Sequence, residues 1–353
     1  MAGTLGSGKT ITAELVCFGA ERRGSSVVNV DPKPDHALDQ VPELEGRVDV
    51  IELTGEERYR GLLDPLRIAP ASLREERTTT YLMDLLPRSS DPAWETQIRR
   101  AVREVIGADG RSSLDVLEAL ARSESPEARK AADALEVWCD SGLGRLAFAD
   151  GGRQAIEVEH AVTTIRANGL TLPSPEASPH DYDSGERLSV ATLKLVANYA
   201  MRLASDPGRH SVVLFDEAWA LLSTTDGRRL ARLGRSQNAT LILATQQLGD
   251  VGELEGLVGT RLMFGLETMR EAKAALELLG LDRVLAGLSG EVGGLAEHRP
   301  GLAPAHAVDA LIAAYTGWLH PRGLEPPPPG YNVAAGWIWA PSITEAAPRA
   351  AAA

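Results

Sequence analysis

Two stretches of the chain carry residue types that handle phosphate. Gly3-Thr4-Leu5-Gly6-Ser7-Gly8-Lys9-Thr10 fits the pattern G-x-x-x-x-G-K-[ST]. Glycines let successive backbone N–H groups turn inward on phosphate oxygens, because they tolerate positive φ. In such a loop Lys9 reaches the outer phosphates and the Thr10 hydroxyl sits on Mg²⁺. The second stretch is Ser211-Val-Val-Leu-Phe-Asp216-Glu217, four apolar residues followed by two acids. A carboxylate at the C-terminal end of a buried strand faces the edge where open α/β sheets bind ligands. There Asp216 would hold Mg²⁺ through water, and Glu217 would act as general base on an attacking water. The same acids would equally serve to cap a following helix.

Further along, Leu-Ile-Leu-Ala-Thr245-Gln246-Gln247 ends an apolar run in amides. On a strand beside that of Asp216, Gln246 could orient water or sense the terminal phosphate, or simply face solvent. Between the two runs stand Arg228, Arg229, Arg232 and Arg235. Arg235, nearest the amide-tipped strand, is the choice for an arginine finger inserted into a neighbouring subunit's site.

These residues need rigid elements behind them. The segment after the loop, ITAELVCFGAERRG, consists of good helix formers ending at Gly24, and its N-terminus points partial positive charge at the phosphates. SSVVNVDPKPD predicts a strand ending at Asp31-Pro32, and VDVIEL a second. From about Pro65 to Asp140 three cap-plus-apolar rhythms predict a compact helical insert with solvated charged faces. VTTIRANGLTLP predicts a strand and turn, and LSVATLKLVANYAMRLAS a helix over 188–205. HSVVLFDE, ATLILATQQ and TRLMFGLE predict three more strands. Strands alternating with helices mean a parallel sheet covered on both faces. The fold class is therefore α/β. The organisation expected is core over 1–60, insert over 61–150, core again over 151–290, and a Pro/Gly-rich tail over 291–353.

Composition limits the alternatives. The chain has 353 residues, 44% hydrophobic, with a net charge of −13. That charge argues against broad nonspecific DNA binding. Cys17 and Cys139 form no zinc spacing or disulfide framework, which favours a reducing compartment. No apolar run reaches the length of a membrane span, and no leader segment is expected. LSGEVGG at 288–294 resembles the signature loop of transporter-type ATPases, but it follows the Asp216 strand instead of preceding it.

Together GTLGSGKT, VVNVDPKPD, the helical insert, VLFDEAWALL and GRSQNATLILATQQLGDV resemble the motor domain of type IV secretion and conjugation ATPases, the VirB-four and TraC type within the HerA–FtsK group of P-loop ATPases. The resemblance covers about residues 1 to 285. It implies a RecA-like core that binds ATP and Mg²⁺ and hydrolyses ATP. It also implies a hexamer that works with secretion or conjugation proteins on the cytoplasmic side, peripheral to the inner face of the cell membrane. Lys9, Thr10, Asp216, Glu217 and Gln246 match motif positions; Asp31 matches an acid whose role stays open. Family members carry an N-terminal domain and a first core strand ahead of the phosphate loop, where this chain has Met1 and Ala2. The chain thus reads as N-terminally truncated, with the first core strand missing from mid-sheet beside the Asp216 strand. Two other readings stay open: a DNA-translocating HerA/FtsK or coupling-protein-like ATPase, and an inactive remnant.

Overall fold

A computed structural model describes residues 1–2, 8–33, 38–87, 91–149, 158–174, 177–206, 208–218, 221, 234, 238–246, 260–265 and 269–278. The chain divides into two units, Met1–Phe264 and Gly265–Ala353. In the second, the described element is one helix, Met269–Leu278. The Pro/Gly-rich tail over 291–353 and the LSGEVGG segment lie outside the described residues.

The first unit is built on a parallel five-stranded sheet. In chain order its strands are β1 (Ser26–Asp31), β2 (Val48–Glu52), β3 (Val162–Arg166), β4 (Ser211–Phe215) and β5 (Ala239–Leu243), and across the sheet they run β2-β3-β1-β4-β5. β1 is central, with Val28 opposite Thr163 on one side and Val213 on the other. Every residue of β4 is buried, as expected of a parallel strand covered on both faces.

Side chains alternate across that sheet and feed two apolar cores. Val27, Val162, Val212, Leu214 and Ile242 pack with Ala13 and Cys17 of α1 (Lys9–Arg22). Val28, Val30, Ile51, Ile165, Val213 and Phe215 face the opposite core, which includes Leu193, Val196 and Tyr199 of the helix over Ser184–Leu203.

Between β2 and β3 come α2 (Pro65–Ile68), α3 (Arg74–Leu85), α4 (Ala93–Gly107), α5 (Ser113–Arg122) and α6 (Pro126–Cys139). Ser112 and Ser125 cap α5 and α6, accepting from the Leu114 and Ala128 amides. Asp64 ties this region together. Its Oδ1 accepts from Leu66 N at 3.0 Å and Ser113 Oγ at 2.9 Å, and its Oδ2 from Ser113 N at 2.8 Å and Ala149 N at 3.1 Å. Burial pushes its carboxyl up to about 6, against the pull of those donors.

Three expectations are revised. The helix placed at 188–205 is α7, Ser184–Leu203. Its start lies earlier because Asp183 and Glu186 form a reciprocal capping box ahead of the apolar run that begins at Leu188. TRLMFGLE forms no full strand among the described residues; Met263 makes one parallel bridge, to Ala2. The place of the first core strand also changes. β4 already has β1 and β5 as neighbours, so no further strand can lie beside it. Met1 and Ala2 pair instead beyond β5. Thr245 N donates to Met1 O at 2.9 Å, and on the other side Ala2 N donates to Leu262 O at 2.9 Å.

Candidate nucleotide site

α1 starts abruptly. Gly8 is its N-cap, left-handed at φ 92°, with no capping side chain and no acid in the first turn. Ordinary helices satisfy their first N–H groups with such groups, so this terminus is suited to an outside anion. Lys9, the first helical residue, is only 8% exposed. Burial lowers its pKa, while the Asp216 and Glu217 carboxylates, within electrostatic reach, pull it back up. The Lys9 ammonium and both acids therefore share one site. Thr10 follows, half-buried. Gly3, Thr4, Leu5, Gly6 and Ser7 lie outside the described residues.

The turn after β4 sets the acids. Asp216 N donates to Val30 O at 3.2 Å, Glu217 N to Asp216 Oδ1 at 2.9 Å, and Ala218 N to Ala244 O at 2.8 Å. Glu217 itself takes φ 49°. A glutamate in the left-handed region costs on the order of 1–2 kcal/mol, and such strain gathers at functional sites. Its side chain is aimed inward: Glu217 is 7% exposed, and Oε1 accepts from Gln246 Nε2 at 2.6 Å.

Lys33, two residues past β1, also reaches that oxygen, Nζ to Oε1 at 2.9 Å. Sequence reading did not single it out. The one local signal was its place just past the C-terminal end of a predicted strand, the edge where such sheets bind ligands; that this strand neighbours β4 is a property of the fold. Asp31 is fully buried at the end of β1, and its carbonyl accepts from Ala167 N at 3.2 Å.

The structure thus brings Lys9, Asp216, Glu217 and Gln246 together. Arg235, with Arg228, Arg229, Arg232 and Gln247, lies outside the described residues. The donors present suit a magnesium nucleotide. The N-terminus of α1 and Lys9 are complementary to phosphate oxygens, and the Thr10 hydroxyl and Asp216 carboxylate are hard oxygen ligands. Among the described residues no group of three or more His, Cys, Asp or Glu could hold a metal. Mg²⁺ bound with phosphate needs only one or two carboxylates.

A parallel α/β sheet with this helix terminus and these acids at one edge is the P-loop ATPase fold. The chain belongs to the AAA-like domain family, whose pattern matches residues 1–286. It is 21% identical over 307 residues to the uncharacterized protein YddE of Bacillus subtilis (strain 168), covering 80% of this chain and 37% of that protein. It therefore spans well under two thirds of that curated relative. Among solved structures, VirB4 of Thermoanaerobacter pseudethanolicus shares the fold, with a TM-score of 0.62 and 16% identity over 81% of this chain and 82% of that one. A looser likeness is to the conjugative coupling protein TrwBΔN70 in complex with sulphate, with a TM-score of 0.49 and 14% identity over 78% and 73% of the two chains. Among the described residues no helix is long and apolar enough to cross a membrane.

Proposed function

We propose that this chain is the ATP-hydrolysing motor part of a type IV secretion or conjugation ATPase. One observation carries the reading: the ammonium of a buried Lys9 shares a site with the Asp216 and Glu217 carboxylates at the end of β4. Membership of the AAA-like domain family and the fold shared with VirB4 support it.

In this reading the backbone of Gly3–Gly8 and the Lys9 ammonium bind the phosphates of ATP, and Thr10 and Asp216 hold Mg²⁺, directly and through water. The bound Mg²⁺ would neutralise charge on the outer phosphates. Glu217 takes a proton from the water whose oxygen attacks the terminal phosphorus, as the bond to the bridging oxygen breaks and ADP leaves. Gln246 orients Glu217 and the water, and Arg235 reaches a neighbouring subunit's nucleotide. The sequence would then divide as core over 1–60, helical insert over 61–150, core over 151–290 and tail over 291–353. The assembly is proposed as a hexamer at the cytoplasmic face of the membrane, with secretion or conjugation proteins as partners.

The test is MgATP hydrolysis and nucleotide binding by the parent and by Lys9→Ala. Loss of hydrolysis with weakened binding in the variant is expected, because the charge opposite the terminal phosphate is gone. Equal turnover in both chains would overturn the reading. A hydrolysis rate that DNA raises steeply, with strong salt dependence, would favour a DNA-translocating relative instead.

A further inference from the structure

Two donors converge on one oxygen of Glu217. Lys33 Nζ lies 2.9 Å from Oε1 and Gln246 Nε2 lies 2.6 Å from the same atom. They come from opposite sides: Lys33 follows β1, Gln246 follows β5, and β4, which precedes Glu217, lies between those strands. The acid is nearly buried while the lysine is not, with side-chain exposures of 9% and 53%. A carboxylate oxygen that already accepts a cationic and an amide donor is a poor acceptor for a third proton. An ion pair with one member half in water is weakly held and readily broken.

We propose that Lys33 is a positioning residue that latches Glu217. Its ammonium, with the Gln246 amide, occupies Oε1 and withholds that oxygen from the attacking water. Hydrolysis requires Lys33 to let go, and its half-exposed ammonium has water to move into when it does. Gln246 then stays to orient the carboxylate. The strained φ of 49° at Glu217 places the carboxylate where both donors meet it. The inference rests on the reading of Glu217 as general base and adds to it a restraint on when that base works.

The experiment measures steady-state MgATP hydrolysis by the parent, Lys33→Met, Lys33→Arg, Glu217→Gln and the Lys33→Met/Glu217→Gln double variant, all in the full chain. Lys33→Met is expected to raise kcat by roughly three- to ten-fold with KM within about two-fold, since the base is freed and substrate binding is not the target. Lys33→Arg keeps a cation in place and should restore the restrained rate. In the Glu217→Gln background Lys33→Met should change nothing, because the lysine acts through that carboxylate. A purely structural role would lower activity in the methionine variant and would not vanish in the double variant.

A fall in kcat, or a rise in KM of ten-fold or more, would mean that Lys33 contacts the nucleotide, and would overturn the latch. Parent turnover that depends on Glu217 but is unchanged in Lys33→Met would overturn the latch alone. Absence of turnover in every chain, including the one freed of Lys33, would overturn the latch together with the ATPase reading.

Discussion

The amide of Gln246 donates to Glu217 Oε1 across 2.6 Å, joining the ends of β5 and β4. That contact links two residues 29 positions apart in the chain and leaves the Glu217 carboxylate fixed from one side. It also makes Glu217→Gln an informative substitution. The new amide carbonyl can still accept from Gln246, so the local geometry should persist while the base is lost. ATP binding is expected to remain and hydrolysis to slow by on the order of 10²-fold or more. A single-turnover assay decides it: a rate within a few-fold of the parent would mean that Glu217 only shapes the turn.

Arg235 is proposed to act across a subunit interface. Arg235→Ala should then bind ATP normally and lose turnover only in the assembled oligomer. Mixing Arg235→Ala subunits with Glu217→Gln subunits should restore part of the activity, because some sites would combine an intact finger with an intact base. No recovery at any mixing ratio would place the residue's role, if any, within its own subunit.

Asp64 makes a stability prediction with a pH signature. Its four donors leave no room for an amide, so Asp64→Asn should cost about 3 kcal/mol at neutral pH. Its folded carboxyl lies above the unfolded value, so the folded state holds the proton more tightly. The parent's stabilising contribution from that proton is therefore fully present below about pH 4 and lost as pH rises through about 6. For a carboxyl moved from 3.8 to about 6 the swing is about 3 kcal/mol. Denaturant melts of parent and variant should show the penalty of the asparagine growing as pH falls across that window. A penalty constant from pH 4 to 7 would contradict it.

Gly61 has φ 69°, and a Cβ there would collide with the Ala149 backbone and side chain. The glycine sits where the chain pairs with a distant segment: Gly61 N donates to Arg145 O at 3.0 Å and Leu63 N to Leu146 O at 2.8 Å. Gly61→Ala combines an unfavourable φ with overpacking and should destabilise by about 2–4 kcal/mol. Gly46 is a matched control at φ 67°, with nothing within 4 Å of an added Cβ. Gly46→Ala should cost only the conformational part, about 1 kcal/mol, in the same urea titration.

Much of this protein is written locally. The non-alternating, valine-rich runs at the start of SVVNVD and in SVVLF read as strands buried on both faces, which is typical of a parallel sheet. Ser112 and Ser125 announce α5 and α6 through hydrogen bonds that span two or three residues. The glycine-rich loop with Lys9, and the acids closing β4, are likewise local patterns, since phosphate and metal chemistry restricts which residue types can stand there.

What needed the tertiary structure is who stands beside whom. Sheet order is a long-range property: β1 pairs with β3 and β4 across well over a hundred residues, and nothing in SVVNVD says so. The order β1-β4-β5 is what sends Met1 and Ala2 beyond β5 instead of beside β4. The same order brings Lys33, an unremarkable charge in the sequence, onto the oxygen that Gln246 already holds. The sequence determined which groups could do chemistry, because that depends on residue type and short spacing. Their convergence on Glu217 was decided only by the packing of strands distant in the chain, where the free energy of burial, not local propensity, sets the arrangement.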